Sequence, residues 1–317
     1  MTPSPLPDES HEETPPAIVQ AQAVAELVSV DEAASRWTLV WRRLARRHRA
    51  KVGLAVVLLL FVLAYLSPFV VKWQYNQLDT SAFLSPPSAA HWFGTTQNGF
   101  DMFALTMRGM QKSLIIGLVG ALIATSLAAV VGSFAGYFGG VLSAALLVLV
   151  DLLLVLPAFL IIAILSPAFR GRTWLLFVVL LAVFHWMVTS RIVRGLTLSL
   201  KEREFVHAAR FMGVPGWRII FRHILPNMSS LLIIDATVNV SGLILAEVGL
   251  SFFGFGVQPP DVSLGTLIGS YAGAALTYPW QFYFPAFALI VLVLSINLVG
   301  DALRDALDPH SAARGAQ

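Results

Sequence analysis

The sequence predicts an all-α protein that crosses a membrane about six times, and three observations predict it. Of its 317 residues, 57% are hydrophobic and 12% are charged, where soluble domains average roughly 45–50% and about 25%. Several apolar runs reach the roughly 17–25 residues that a helix needs to cross a bilayer. Lysine and arginine gather in alternate connecting segments, as they do when one set of loops faces the cytosol.

The first 34 residues are rich in Pro, Glu, Ser and Ala and hold no apolar run before Ala23. They read as a disordered cytosolic tail. Acids and prolines stand there where a secretory signal peptide would carry a basic cluster and an apolar core. Residues 35–51 form a basic amphipathic helix, with Trp37, Val40, Trp41 and Leu44 opposite a set of arginines. Such a helix suits the inner leaflet of a membrane.

Spans follow at 52–71, 113–136, 144–165, 174–190, 228–250 and 282–300. Gly139-Gly140 is the one break between the second and third, so five spans is the alternative count. With both termini inside, the inner segments hold sixteen of the 21 lysines and arginines. The outer segments keep Lys72, Arg108, Lys112, Arg170 and Arg172. The net charge of +3 then reflects topology and needs no nucleic-acid partner. The chain has no cysteine, which excludes disulfides and thiolate metal sites.

Two outer segments, 72–112 and 251–281, are rich in turn-forming Gly and Pro and in interfacial aromatics. The inner segment between the fourth and fifth spans is different. It runs Glu204-Phe-Val-His-Ala-Ala-Arg-Phe-Met-Gly213 and then Ile219-Ile-Phe-Arg-His-Ile-Leu-Pro226. Phe205, Ala208, Ala209 and Met212 fall at helical spacing on one face, with Arg203, His207 and Arg210 on another. Gly213 is suited to end that helix and Pro215 prevents its continuation. A second short helix sets Trp217, Ile220, Phe221 and Ile224 against Arg218 and Arg222, and Pro226 leads into the fifth span. On physical grounds two readings stand: a hairpin built to dock a partner, and a hairpin lying on lipid.

Polar residues within spans are the other candidates. Asp235, Asn239 and Glu247 lie in the fifth span, Asn297 in the sixth and Asp151 in the third. Intramembrane acids are costly and face a bundle interior or a water-filled path. Asp235 and Asn239 are four apart and share a face, so they line a path or hydrogen-bond neighbouring helices. Glu247 is expected near the outer mouth of such a path. His185, His207 and His223 lack metal-ligand spacing, no Walker lysine loop is present, and no acid/base pair or metal cluster for a membrane-embedded enzyme assembles.

The inner hairpin resembles the "EAA" signature of importer-type ABC transporter permeases. Ala208, Ala209, Gly213, Leu225 and Pro226 match it, while His207 stands where the signature has glutamate and His223 where it has isoleucine. The segment from Leu250 to Pro260 and the end from Gly300 to Pro309 are similar to dipeptide and oligopeptide permeases of the "C" type. His91 to Asp101 resembles their outer-loop motif, with Thr96 and Phe100 as departures. The resemblance covers most of the chain after Ser35. It implies a permease core over 113–303 with coupling helices at 203–226 and a cytosolic tail at 304–317. It also implies the bacterial cytoplasmic membrane, a second homologous permease, two cytosolic ATPase subunits and an extracytoplasmic substrate-binding protein. Glu204, Phe205, His207, Ala208, Ala209, Met212, Gly213, Arg218 and Pro226 would then contact or position the ATPase. ATP would bind the partners, with no cofactor in this chain. Peptide is the implied cargo, with nickel, haem or a glycan fragment as the same-family alternatives.

Overall fold

The computed structural model describes residues 47–169 and 174–307. The expected tail at 1–34, residues 35–46 of the basic helix, Arg170, Arg172 and residues 308–317 lie outside the described residues.

Among the described residues the chain is helical, and its only strand-like pairings are isolated bridges in the 72–101 loop. Helix α1, His48–Val70, is the first span and runs antiparallel to the last helix. Helix α2, Met102–Phe138, has 37 residues, about 55 Å at 1.5 Å per residue, well beyond a hydrocarbon core of roughly 30 Å. The expected span at 113–136 therefore starts eleven residues late. Asp101 caps the helix by accepting from the Ala104 amide at 2.8 Å. The polar side chains of its first turns find partners within the fold: Gln111 donates to the Ala64 carbonyl at 2.6 Å and Lys112 pairs with Asp261 at 2.8 Å.

Gly139, at φ +65°, closes α2. The expected third span is two helices, α3 (Gly140–Val155) and α4 (Ala158–Leu165), bent by 77° at the break. The cause is Pro157, which forces Leu156 out of helical conformation to ψ 130°. The expected fourth span is also bent, by 51°, between α5 (Leu175–Val183) and α6 (Met187–Leu200). There the amide of His185 donates to Ala182, three residues back, and its Nδ1–H donates to the Leu181 carbonyl at 3.2 Å. Helix α6 continues ten residues past the expected end of that span.

Helices α7 (Glu204–Phe211), α8 (Gly216–Ile219) and α9 (Leu225–Asn227) form the hairpin expected at 203–226. Helix α10 (Ser229–Phe252) is the fifth span, α11 (Leu264–Tyr271) a short helix in the 251–281 segment, and α12 (Pro279–Leu307) the last span. Among the described residues four helices are long and apolar enough to cross a bilayer, and the two bent pairs make six if each is one span.

The core lies around α2, against which α6, α10 and α11 pack. Small residues let them approach. A Cβ added at Gly132 would stand 2.4 Å from the Ser190 carbonyl oxygen, and one at Gly109 2.9 Å from the backbone of Ser263. The hairpin gathers at one end of the bundle. The 72–101 loop and the 253–278 segment gather at the other.

Candidate functional site

Helix α7 ends in a Schellman turn. The Val214 amide donates to the Ala209 carbonyl at 3.1 Å and the Gly213 amide to Arg210 at 3.0 Å, with Gly213 at φ +76°. Past Pro215 the chain enters α8, then a π-helical turn at Ile220–Ile224. That turn immediately precedes Pro226, whose ring crowds the preceding turn and whose nitrogen has no hydrogen to donate.

The hairpin has two faces. Its inner face buries Val206, Ala209, Ile219, Ile220 and Ile224 in one cluster with Val193 of α6 and Met228 at the head of α10. Phe134 and Tyr137 at the end of α2 pack against the same cluster. Gly216 fits there because an added Cβ would lie 2.7 Å from the Tyr137 ring. The hairpin thus sits on the ends of three bundle helices and has a hydrophobic core of its own.

The outer face exposes Phe205, Ala208, Phe211, Met212, Trp217 and Phe221, with Glu204, Arg210, Arg218 and Arg222 also exposed among them. Phe211 is 90% exposed and Met212 75%, so the patch is a surface rather than a half-covered core. This corrects the expected faces in two places. Ala209 turns inward with Val206, which leaves Phe205, Ala208 and Met212 outside. Beyond the turn, Ile219, Ile220 and Ile224 lie on the buried half of the helix, while Trp217 and Phe221 share the exposed half with Arg218 and Arg222. His207, half-buried, faces Glu202 at 3.6 Å.

Of the intramembrane candidates, Asp235 and Asn239 come together. The Asp235 carboxylate accepts from Thr125 of α2 at 2.8 Å, from Thr189 of α6 at 2.7 Å and from the Asn239 amide at 2.9 Å. Both residues remain partly exposed. Glu247 does not stand at an open mouth. It is fully enclosed, and its Oε1 accepts from Ser251 and, at 2.6 Å, from Ser263. Ser263 also caps α11 in a capping box with Thr266. Glu247 therefore ties the 251–263 segment to α10. Asn297 accepts from Ser241 at 2.7 Å, joining α12 to α10, and Asp151 pairs with Arg191 at an exposed position.

Sequence reasoning missed the order in the 72–101 loop. His91 is buried, with Nδ1 2.8 Å from Asp101 and Nε2 3.3 Å from Asp79, and its ring stacks on Trp73. The Asp79 carboxyl is held below the usual carboxylate range, first by the Ser81 hydroxyl and then by the Ser81 amide, against a smaller opposing effect of burial. Trp280 and Gln281 both donate to the Thr95 carbonyl, at 3.1 and 3.0 Å. The loop is docked on the head of α12.

Helices of membrane length pack into one bundle among the described residues, with a two-faced hairpin seated on the ends of three of them. Two family descriptions match the chain: "Binding-protein-dependent transport system inner membrane component" over residues 128–312 and "N-terminal TM domain of oligopeptide transport permease C" over residues 35–87. The chain belongs to the binding-protein-dependent inner membrane transport family. It is 54% identical over 281 residues to the oligopeptide transport system permease protein OppC of Mycobacterium bovis, covering 88% of this chain and 97% of that protein. The OppC protein of Haemophilus influenzae is 35% identical, covering 88% of this chain and 90% of its own. A putative peptide permease protein of Brucella suis is 38% identical, over 85% and 89%. Among solved structures, the MetNI methionine ABC transporter, in inward-facing conformations, aligns with a TM-score of 0.51. It covers 65% of this chain and 98% of its own at 21% identity, a likeness of fold.

Proposed function

We propose that this chain is one of two permease subunits of an ATP-driven importer that moves peptides into the cytoplasm. The single observation that carries the reading is the outward apolar face of the hairpin, set on a reverse side that is packed into the ends of α2, α6 and α10. A patch of Phe205, Ala208, Phe211, Met212, Trp217 and Phe221 loses its contact with water when a partner covers it. Whatever moves that partner moves three bundle helices with it.

In this reading the partner is a cytosolic ATPase, one for each permease, and the hairpin and both termini lie in the cytoplasm. Phe205, Ala208 and Met212 contact the ATPase directly. Glu204, His207 and Arg218 form the polar margin, with His207 bringing Glu202 beside it. Ala209, Gly213 and Pro226 set the hairpin's shape and seat. A second, homologous permease completes the path, and a substrate-binding protein delivers cargo at the opposite end. Asp235 and Asn239 line the path at the junction of three helices, while Glu247 serves as an internal tie. The chain does no chemistry and holds no cofactor; ATP is spent on the partners.

Relatives named as oligopeptide and peptide permeases support the cargo. Uptake of labelled di- and oligopeptides by a strain lacking this chain tests it. The expected result is a loss of uptake that the intact gene restores and a Gly213→Val gene does not. Uptake equal to that of the parent strain at every peptide length overturns it.

A further inference from the structure

At the end of the bundle away from the hairpin, a cavity of about 360 Å³ opens between the last turn of α1 and the first turns of α2. Two side chains that line it each carry a buried N–H with no acceptor: Trp73 at Nε1 and Arg108 at Nε. Indole and guanidinium N–H groups have donor capacity only, and a buried donor left unpaired is expensive. Two around one cavity call for an acceptor that sits inside it.

The terminal nitrogens of the guanidinium face other groups. It donates to Gln111 from one terminal nitrogen at 2.9 Å, lies 3.9 Å from Asp261 at the other, and stacks over Tyr75 at 4.8 Å. Nε is the guanidinium nitrogen that is buried without a partner, on the charged residue of the lining, which includes no acid. A guanidinium N–H and an indole N–H suit an anionic oxygen as acceptor, such as that of a phosphate.

The surroundings say which phosphate. The cavity lies where α1 leaves the membrane, among Tyr65, Trp73 and Tyr75, residue types that gather at membrane–water interfaces. Phe69 lines it and is 85% exposed. From there Leu66, Val62 and Leu58 continue along one exposed row of α1 at three- and four-residue spacing. A polar hole at interfacial depth, joined to an apolar strip that runs into the bilayer, fits a headgroup and its acyl chain together. A soluble anion would use the hole and leave the strip idle.

We propose that this cavity binds the phosphate of a phospholipid in the leaflet remote from the hairpin, with Trp73 and Arg108 as its donors. The lipid then bridges α1 and α2 and anchors the 72–101 loop through the Trp73 ring, which stacks on His91. The inference does not depend on what the protein transports.

Native mass spectrometry of the full chain in detergent, titrated with phosphatidylglycerol, tests it. The expected result is one retained lipid per chain, not displaced by inorganic phosphate and not replaced by diacylglycerol. Trp73→Phe keeps the ring and removes the N–H; Arg108→Lys keeps the charge and removes Nε. Each should weaken retention by roughly tenfold or more, the loss of one hydrogen bond to a charged group. If Arg108→Lys fails to fold, Trp73→Phe decides alone. Undiminished retention in Trp73→Phe overturns the proposal, as does inorganic phosphate or a short peptide that displaces the lipid.

Discussion

The guanidinium of Arg210, on the hairpin, stands 5.5 Å from the ring centre of Tyr137, at the end of α2. This contact joins the exposed margin of the hairpin to the longest helix of the bundle, while the same ring packs against the buried cluster below. A cation over an aromatic ring contributes about 0.5–1 kcal/mol at exposed sites. Replacing Tyr137 by Leu keeps apolar bulk and removes the ring. Amide exchange over residues 206–224 should then speed up by roughly two- to fivefold, with exchange in the middle of α2 unchanged.

Gly213 carries the turn. Nothing lies within 4 Å of an added Cβ, but its φ of +76° penalises any side chain. The left-handed conformation costs an L-residue about 1–2 kcal/mol, and a β-branched one more. Gly213→Val should leave the chain in the membrane and the partners able to hydrolyse ATP, while transport per ATP falls. Gly213→Asn should be the milder variant, since asparagine tolerates this region. Reconstituted vesicles assayed for hydrolysis and transport in parallel check both.

Thr125 and Thr189 bring α2 and α6 to one carboxylate on α10. Interhelical hydrogen bonds of this kind contribute about 0.6 kcal/mol on average and up to about 2. Thr189→Val should lower stability by that order, and Thr125→Val likewise. With Asp235→Asn in the background, each threonine change should cost less, because the charged acceptor is gone. A double-mutant cycle on the thermal unfolding midpoint in detergent reads the coupling.

Acid should loosen the 72–101 loop, at low pH. Asp79 has its carboxyl lowered in the folded state, so its contribution is fully present above the unfolded carboxylate value of about 4 and is lost as pH falls below it. Amide exchange of the loop in wild type and Asp79→Asn should differ above about pH 4 and converge as pH falls below it.

Much of this was legible in the sequence, for identifiable reasons. Long apolar runs announce spans because the bilayer has one thickness, and all six expected runs coincide with helices or bent helix pairs. The Gly213–Pro215 turn was legible because its residues have few other uses. The start of α2 was not, since Arg108, Gln111 and Lys112 look like loop residues until Asp261, Trp174 and the Ala64 carbonyl arrive from distant segments. Nor were the hairpin's faces, because the side that packs inward is set by Val193, Phe134 and Tyr137, which come from other helices. Glu247 looked like a residue of an open path. Only the folded 251–263 segment shows the serines that enclose it. The break at Leu156 was within reach, as Pro157 already restricts the residue before it.

The central claim is that the outer face of the hairpin seats an ATPase. The chain has no cysteine of its own, so a single introduced thiol reports one place. In the assembled transporter, a photoreactive label on Ala208→Cys should join this chain to the ATPase subunit, and the same label on Leu276→Cys, 95% exposed at the opposite end, should not. Labelling at Ala208→Cys that reaches lipid alone, with the ATPase captured from some other segment, would contradict the account.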